Sequence, residues 1–196
     1  MAPSASRLVL ILSAALFGLL ERPPAILPFR PAAPTAPAPS VRGIVLSRPV
    51  LDSMDAVFAR FNAHWDDLQD QNTLTQMLGT GKPTQREYLG CLQGHLVNDT
   101  LIVQGWVPAR NMKQLQFAVA GDCAGVPDRL GTWHTHPFRA DPRNLPLKEP
   151  GLSQQDLDTF AASDDLVSLV VWDSDSVDAA VKDRGTVRHP VPVTIR

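Results

Sequence analysis

Val50, Met54, Val57, Phe58, Phe61, Trp65 and Leu68 recur at spacings of three and four, which predicts one apolar face of a helix of about five turns. Ser47 and Pro49 stand where that helix would start, just after a short strand-like run over 41–47, VRGIVLS. A polar stretch with Gly79, Gly81 and Pro83 follows, and then the pattern changes to apolar runs of strand length. These are EYLGCLQGHLV, TLIVQGWV across the turn signal Asn98-Asp99, LQFAVAG and RLGTWHTH. LSQQDLDTFAAS restores a helical period, with Leu152, Leu157, Phe160 and Ala161 able to share a face. LVSLVVWD, VDAAVKD and TVRHPVPVTI complete the chain as further strands. Strands flanked by two helices predict an α/β sandwich around a mixed sheet rather than an all-β barrel.

Composition bounds the size of that sandwich. The chain has 196 residues and is 44% hydrophobic, enough for one ordinary core. The folded body is expected over 41–196, preceded by a hydrophobic segment over 1–21 and a Pro/Ala-rich linker over 22–40. Eighteen Lys and Arg against 20 Asp and Glu, with no long run of either sign, leave no electrostatic footprint for nucleic acid. Cys91 and Cys123 are too few for a disulfide-stapled scaffold and lack C-x-x-C spacing, so both are read as core thiols; a bridge between them would need an oxidising compartment.

The N-terminus admits three readings. Arg7 precedes LVLILSAALFGLL, short for a spanning helix and of the length of a signal-peptide core, but no A-x-A-like cleavage site follows. Instead come seven prolines between Arg22 and Ser40, a composition for an extended spacer. An export signal, a weak membrane anchor through residues 8–20 and a dispensable extension stand open, with a cytoplasmic location as the expectation.

The candidate chemistry lies in four places. His134 and His136 alternate with Trp133 and Thr135 at a strand end, so both imidazoles point to one side. Two such imidazoles suit a divalent metal, although H-x-H alone also describes two surface histidines. Downstream, Ser153 and Asp156 form an S-x-x-D pattern at a helix start, which is a capping box and can also present a carboxylate to a metal. Glu87 opens the first long strand run; taken alone it is a solvated carboxylate at a strand edge. His64, His95 and His189 are assigned no role.

The order of these elements, EYLG, then HTHP, then LSQQD, resembles the JAMM metalloproteases, also called the MPN or JAB1/Mov34 family, and the likeness spans about Val41 to Trp172. GWVPARN, Gly105 to Asn111, is similar to the segment between glutamate and histidines in that family. One departure is plain: Asp156 lies 20 residues beyond His136, about nine more than is usual, and the excess falls in RADPRNLPLKEPG, where Asp141 is an acidic alternative.

The resemblance implies a curved mixed sheet flanked by two main helices, a sandwich like that of the cytidine deaminases. It implies one zinc held by His134, His136 and Asp156, with Glu87 as general base and Ser153 as donor to the oxyanion. It further implies a zinc isopeptidase or peptidase acting at the C-terminal tail of a ubiquitin-like protein, as bacterial members do in anti-phage conjugation systems. An inactive binding scaffold and a peptidase trimming a sulfur-carrier protein are the alternatives. No nucleic-acid partner is expected.

Overall fold

A computed structural model describes residues 37–62, 85–140 and 145–196, and the elements below are those of the described residues. The order is β1 (Gly43–Leu46), α1 (Arg48–Phe61), β2 (Leu89–Val97), β3 (Thr100–Pro108), β4 (Arg110–Gln114), β5 (Val119–Asp122) and β6 (Arg129–Thr135). Then come β7 (Arg139–Ala140), β8 (Pro146–Leu147), α2 (Gln154–Ala162), β9 (Val167–Asp173), β10 (Ser176–Asp183), β11 (Thr186–Arg188) and β12 (Val193–Ile195). Eight strands form one mixed sheet in the order β11-β10-β9-β6-β2-β3-β1-β12. β6 runs parallel to β9 and β1 parallel to both β3 and β12, while β2 is antiparallel to β3 and β6.

The sheet curls until its two ends approach. Arg184 N donates to Pro39 O at 2.9 Å and Val41 N to the Asp183 carboxylate at 3.2 Å, so the segment leading into β1 is tied to the β10–β11 end. The result is an α/β half-barrel with one helix on each face.

Alternation along the strands assigns the faces. Trp133, Leu169, Val171, Ala179 and Val181 bury toward α1, which presents Val50, Leu51, Met54 and Phe58 to the main core. Trp106 stacks edge-on against Trp133 at 4.9 Å and donates its indole N–H to Ser53 Oγ of α1 at 2.7 Å, so the helix is held by apolar contact and by one directed bond. Gly90 pairs with Trp133 across β2 and β6, and a Cβ there would lie 2.1 Å from the indole nitrogen. The opposite face carries His134, Val170 and Ala180. A smaller cluster of Leu152 and Phe160 on Val170 and Ala180 seats α2 there.

Several expectations are corrected. The first helix ends at Phe61, where Asn62 leaves helical geometry; Trp65, Leu68, His64 and the glycines of the polar stretch lie outside the described residues, as does 1–36. LQFAVAG is not one strand, because Leu115 N donates to Ala118 O and closes a turn between β4 and β5, leaving Leu115 and Phe117 exposed. TVRHPVPVTI splits into β11 and β12, since Pro190 and Pro192 have no N–H to give a ladder. Ala161 is exposed and does not join the buried face of α2. Cys91 and Cys123 are not free thiols: they form a disulfide with Cα atoms 5.6 Å apart, joining β2 to the link between β5 and β6. Spacing hid the pair because β2 and β5 become neighbours only through the β4–β5 hairpin. Finally, the stretch after His136 holds the two-stranded β7–β8 ribbon. Asp141 and Arg143 lie outside the described residues.

Candidate metal centre

β6 places both histidines. Its backbone pairs with β2 and β9, with Leu89, His134 and Val170 in one cross-strand row, and the strand continues one residue further as His136 N donates to Val171 O at 2.9 Å. His134 and His136 are 6% and 7% exposed, and their Nε2 atoms face each other at 3.1 Å. The side chain between them, Thr135, is turned the other way and accepts a hydrogen bond from Tyr88 N at 2.9 Å, which fixes the approach to β2.

α2 supplies the third group. Ser153 is its N-cap, with the reciprocal capping box closed: Asp156 N donates to Ser153 Oγ at 3.2 Å and Ser153 N to Asp156 Oδ2 at 2.7 Å. The cap thereby fixes the carboxylate that approaches the histidines, with His134 Nε2 to Asp156 Oδ1 at 3.4 Å and His136 Nε2 to Asp156 Oδ2 at 3.3 Å. Capping and metal ligation are thus compatible in one residue.

Electrostatics follow from this packing. Burial pushes Asp156 up, but hydrogen bonds from both histidines and from Ser153 outweigh it and hold the carboxyl well below the usual range. Burial lowers His134, and the Asp156 carboxylate does not make up the difference, so this imidazole favours its neutral, metal-binding form. His136 is also pushed down by burial, yet Asp156 and the charge of Glu87 raise it overall. Its Nδ1 faces Glu149 O at 3.4 Å, a contact that presents the Nε2 lone pair to the cluster.

Donor chemistry and spacing both fit a divalent metal. Among the described residues His134, His136 and Asp156 bring ligand atoms within 4.8 Å of one another. A tetrahedron built on bonds of ~2.0–2.1 Å has edges of about 3.3–3.4 Å, near the distance from each imidazole to its carboxylate oxygen, His134 to Oδ1 and His136 to Oδ2. A second acidic trio, Asp52, Asp55 and Asp175, is exposed or half-buried, and two of its three carboxylates, Asp52 and Asp175, already pair with Arg48 at 2.7 Å.

Glu87 lies just before β2, its N–H on Leu115 O and its own carbonyl accepting from Gln114 Nε2, so the β4–β5 hairpin fixes its backbone. It is 8% exposed, and burial pushes its pKa up to about 7, with His136 pulling down and Asp156 and Glu149 pushing up. The five residues singled out in the sequence, Glu87, His134, His136, Ser153 and Asp156, line one cleft of about 630 Å3 between α2 and the β4–β5 hairpin. Phe117 falls in the run LQFAVAG, and Arg139 and Glu149 in the inserted RADPRNLPLKEPG; none of the three is marked by a motif. Arg139 bonds Glu149 at 2.5 Å and lies over the Phe117 ring at 4.5 Å, bridging the inserted ribbon to the hairpin at the cleft mouth.

Among the described residues no helix is long and apolar enough to cross a membrane. No family model and no curated protein matches the chain. Its fold is similar to the solution structure of protein DSY2949 from Desulfitobacterium hafniense, at 18% identity over 78% of this chain and 92% of that one, with a TM-score of 0.47.

Proposed function

We propose that this chain is a zinc-dependent amide hydrolase of the JAMM type, with His134, His136 and Asp156 as ligands. The observation that carries the reading is a buried carboxylate, Glu87, facing the same cleft as a complete three-ligand donor set. When bound there, zinc supplies a polarising charge and a water of lowered pKa. Glu87 would accept a proton from water in the cleft and return it to the leaving amine, and in the metal-free chain burial already raises this carboxyl to about 7, between the two protonation states the transfers use. Ser153 would donate to the carbonyl oxygen as it gains charge. Its hydroxyl donates to Asp156 Oδ2 at 2.6 Å, so this role requires the hydroxyl hydrogen to turn from Oδ2 toward the cleft.

The substrate proposed is an extended C-terminal tail, held along the cleft and cut at its amide or isopeptide bond, with a ubiquitin-like protein as the expected bearer of the tail. The Cys91–Cys123 disulfide favours a second reading of the same chemistry: reducing pools keep such pairs open, and ATP-dependent conjugation belongs to the reducing cytoplasm. In an oxidising compartment the tail would belong to a peptide or protein that needs no conjugation.

Zinc content of the purified chain tests the reading. About one zinc per chain is expected, lost in His134→Ala and His136→Ala and kept in Glu87→Gln. Turnover of a tail peptide or of a ubiquitin-like fusion should fall by about 10²–10⁴ in Glu87→Gln. A chain that binds no zinc, or a Glu87→Gln variant that cleaves at the wild-type rate, would overturn it.

A further inference from the structure

Asp178 belongs to neither the cleft nor the core, yet it is bonded to the segment that launches α2. Its Oδ2 accepts from Leu152 N at 3.0 Å, one residue before the Ser153 cap, and faces His189 Nε2 at 2.5 Å on the other side. Strand register makes this contact consequential. Asp178 pairs with Val170 of β9, and Val170 pairs with His134 of β6, so the three stand in one row across the sheet. Side chains in such a row point to the same face, and two strand spacings of ~4.8 Å separate Asp178 from the histidine. Gly151 turns the chain here at φ +83°, and a Cβ at that position would lie 3.1 Å from Asp178 Oδ2, so the loop is pressed against the carboxylate. Leu152 then enters the small apolar cluster with Phe160, Val170 and Ala180.

We infer that Asp178 is a positioning residue for the metal centre: it anchors the start of α2 to the sheet row that carries His134, and so sets the place of Ser153 and Asp156 against the histidines. The need is physical. α2 has nine residues, too short to hold its own register without tertiary contacts. Without the bond next to the cap, only the Leu152–Phe160 cluster would seat the start of α2, and the Asp156 carboxylate would sit less firmly against β6. His189 supports the anchor from the β11–β12 link by contacting the same oxygen, which leaves the carboxylate one orientation toward Leu152. The inference rests on the metal reading above and adds a residue outside the ligand set, of the kind that orients ligands from behind.

The test is zinc affinity of the full chain, measured by competition with a chromophoric chelator, for wild type, Asp178→Ala and Asp178→Asn. Asp178→Ala should weaken zinc by about 10–100-fold, and Asp178→Asn, which keeps an acceptor oxygen but loses the charge, should weaken it only several-fold. Amide exchange at Leu152, protected in wild type, should become fast in Asp178→Ala while the amides of β6 and β9 stay protected. If Asp178→Ala does not fold, Asp178→Asn carries the test through a several-fold loss of affinity with a far-ultraviolet spectrum like that of wild type. Wild-type zinc affinity in every variant that folds would overturn the anchor alone. A wild-type chain that binds no zinc would remove the metal reading, and this inference with it.

Discussion

Glu87 shows at the scale of one residue what the site costs the fold. A carboxyl raised from 4.5 to about 7 by burial is easier to hold protonated than ionised, and its ionisation must be driven against the folded structure. The sign follows from linkage: with the folded value above the unfolded one, the contribution to stability is present at pH below ~4.5 and disappears as pH rises through ~7. In the metal-free protein Glu87→Gln should therefore lose that pH dependence. It should melt several degrees above wild type at pH 8, for a difference on the order of 2 kcal/mol, and close to wild type at pH 5. Thermal melts at the two values check this, and an equal offset at both would show that the carboxyl is not desolvated. Ser153 carries the reverse case. Ser153→Ala loses a cap worth about 1 kcal/mol, and if the hydroxyl also serves the carbonyl oxygen, turnover should fall by ~10²–10³ even at saturating zinc. A variant that melts lower but turns over normally would assign Ser153 to capping only.

At the scale of elements, the parts of the site visible in the sequence were those encoded within one strand or one helix turn. His134 and His136 share a face because strands alternate, and Ser153 and Asp156 meet because a cap reaches three residues ahead; both rules are local. Glu87 was legible only through its order relative to the other groups, since nothing in EYLG announces that the β4–β5 hairpin will cover the carboxylate. The hairpin was itself misread, because Leu115 and Phe117 look like core in a run of apolar letters and are exposed at the cleft mouth. The disulfide was hidden for the same reason, being a property of how the hairpin folds back onto β2. That bridge makes a separate prediction. Val119, Ala120 and Gly121 of β5 line the cleft, whereas the three ligands come from β6, its end and α2. A Cys91→Ser/Cys123→Ser chain should lose about 3–4 kcal/mol of stability, given the 32-residue separation, and should still bind one zinc. Denaturant melts and metal content read the two halves independently, and loss of zinc in the double variant would tie the ligands to the hairpin wall.

For the whole molecule, the two faces of the sheet are held by cores of unequal size. The α1 face is closed by Trp133, Met54, Phe58 and many aliphatic side chains, and it needs nothing from the site. Among the described residues the cluster under α2 has four buried apolar members, Leu152, Phe160, Val170 and Ala180, plus whatever joins Asp156 to the histidines, while the same face of the sheet is closed farther along by Cys91, Ala109 and Cys123. Without metal, hydrogen bonds from the two histidines to Asp156 are what join the three groups at 3.1–3.4 Å, while a shared cation would bind α2 to β6 through all three. Ligand binding to the folded state adds stability as RT ln(1 + [L]/Kd), about 4 kcal/mol at a thousandfold excess over Kd, and here that stability should be spent where the ligands lie. Removing metal with a chelator should thus speed amide exchange in α2 and in the loop before it, while β2, β6 and β9 keep their protection through the α1 core. If exchange rises evenly across both faces, the metal supports the global fold rather than the docking of α2. If α2 is unchanged, the small apolar cluster and the Asp178 bond suffice to hold the helix, and the cation has only a chemical role.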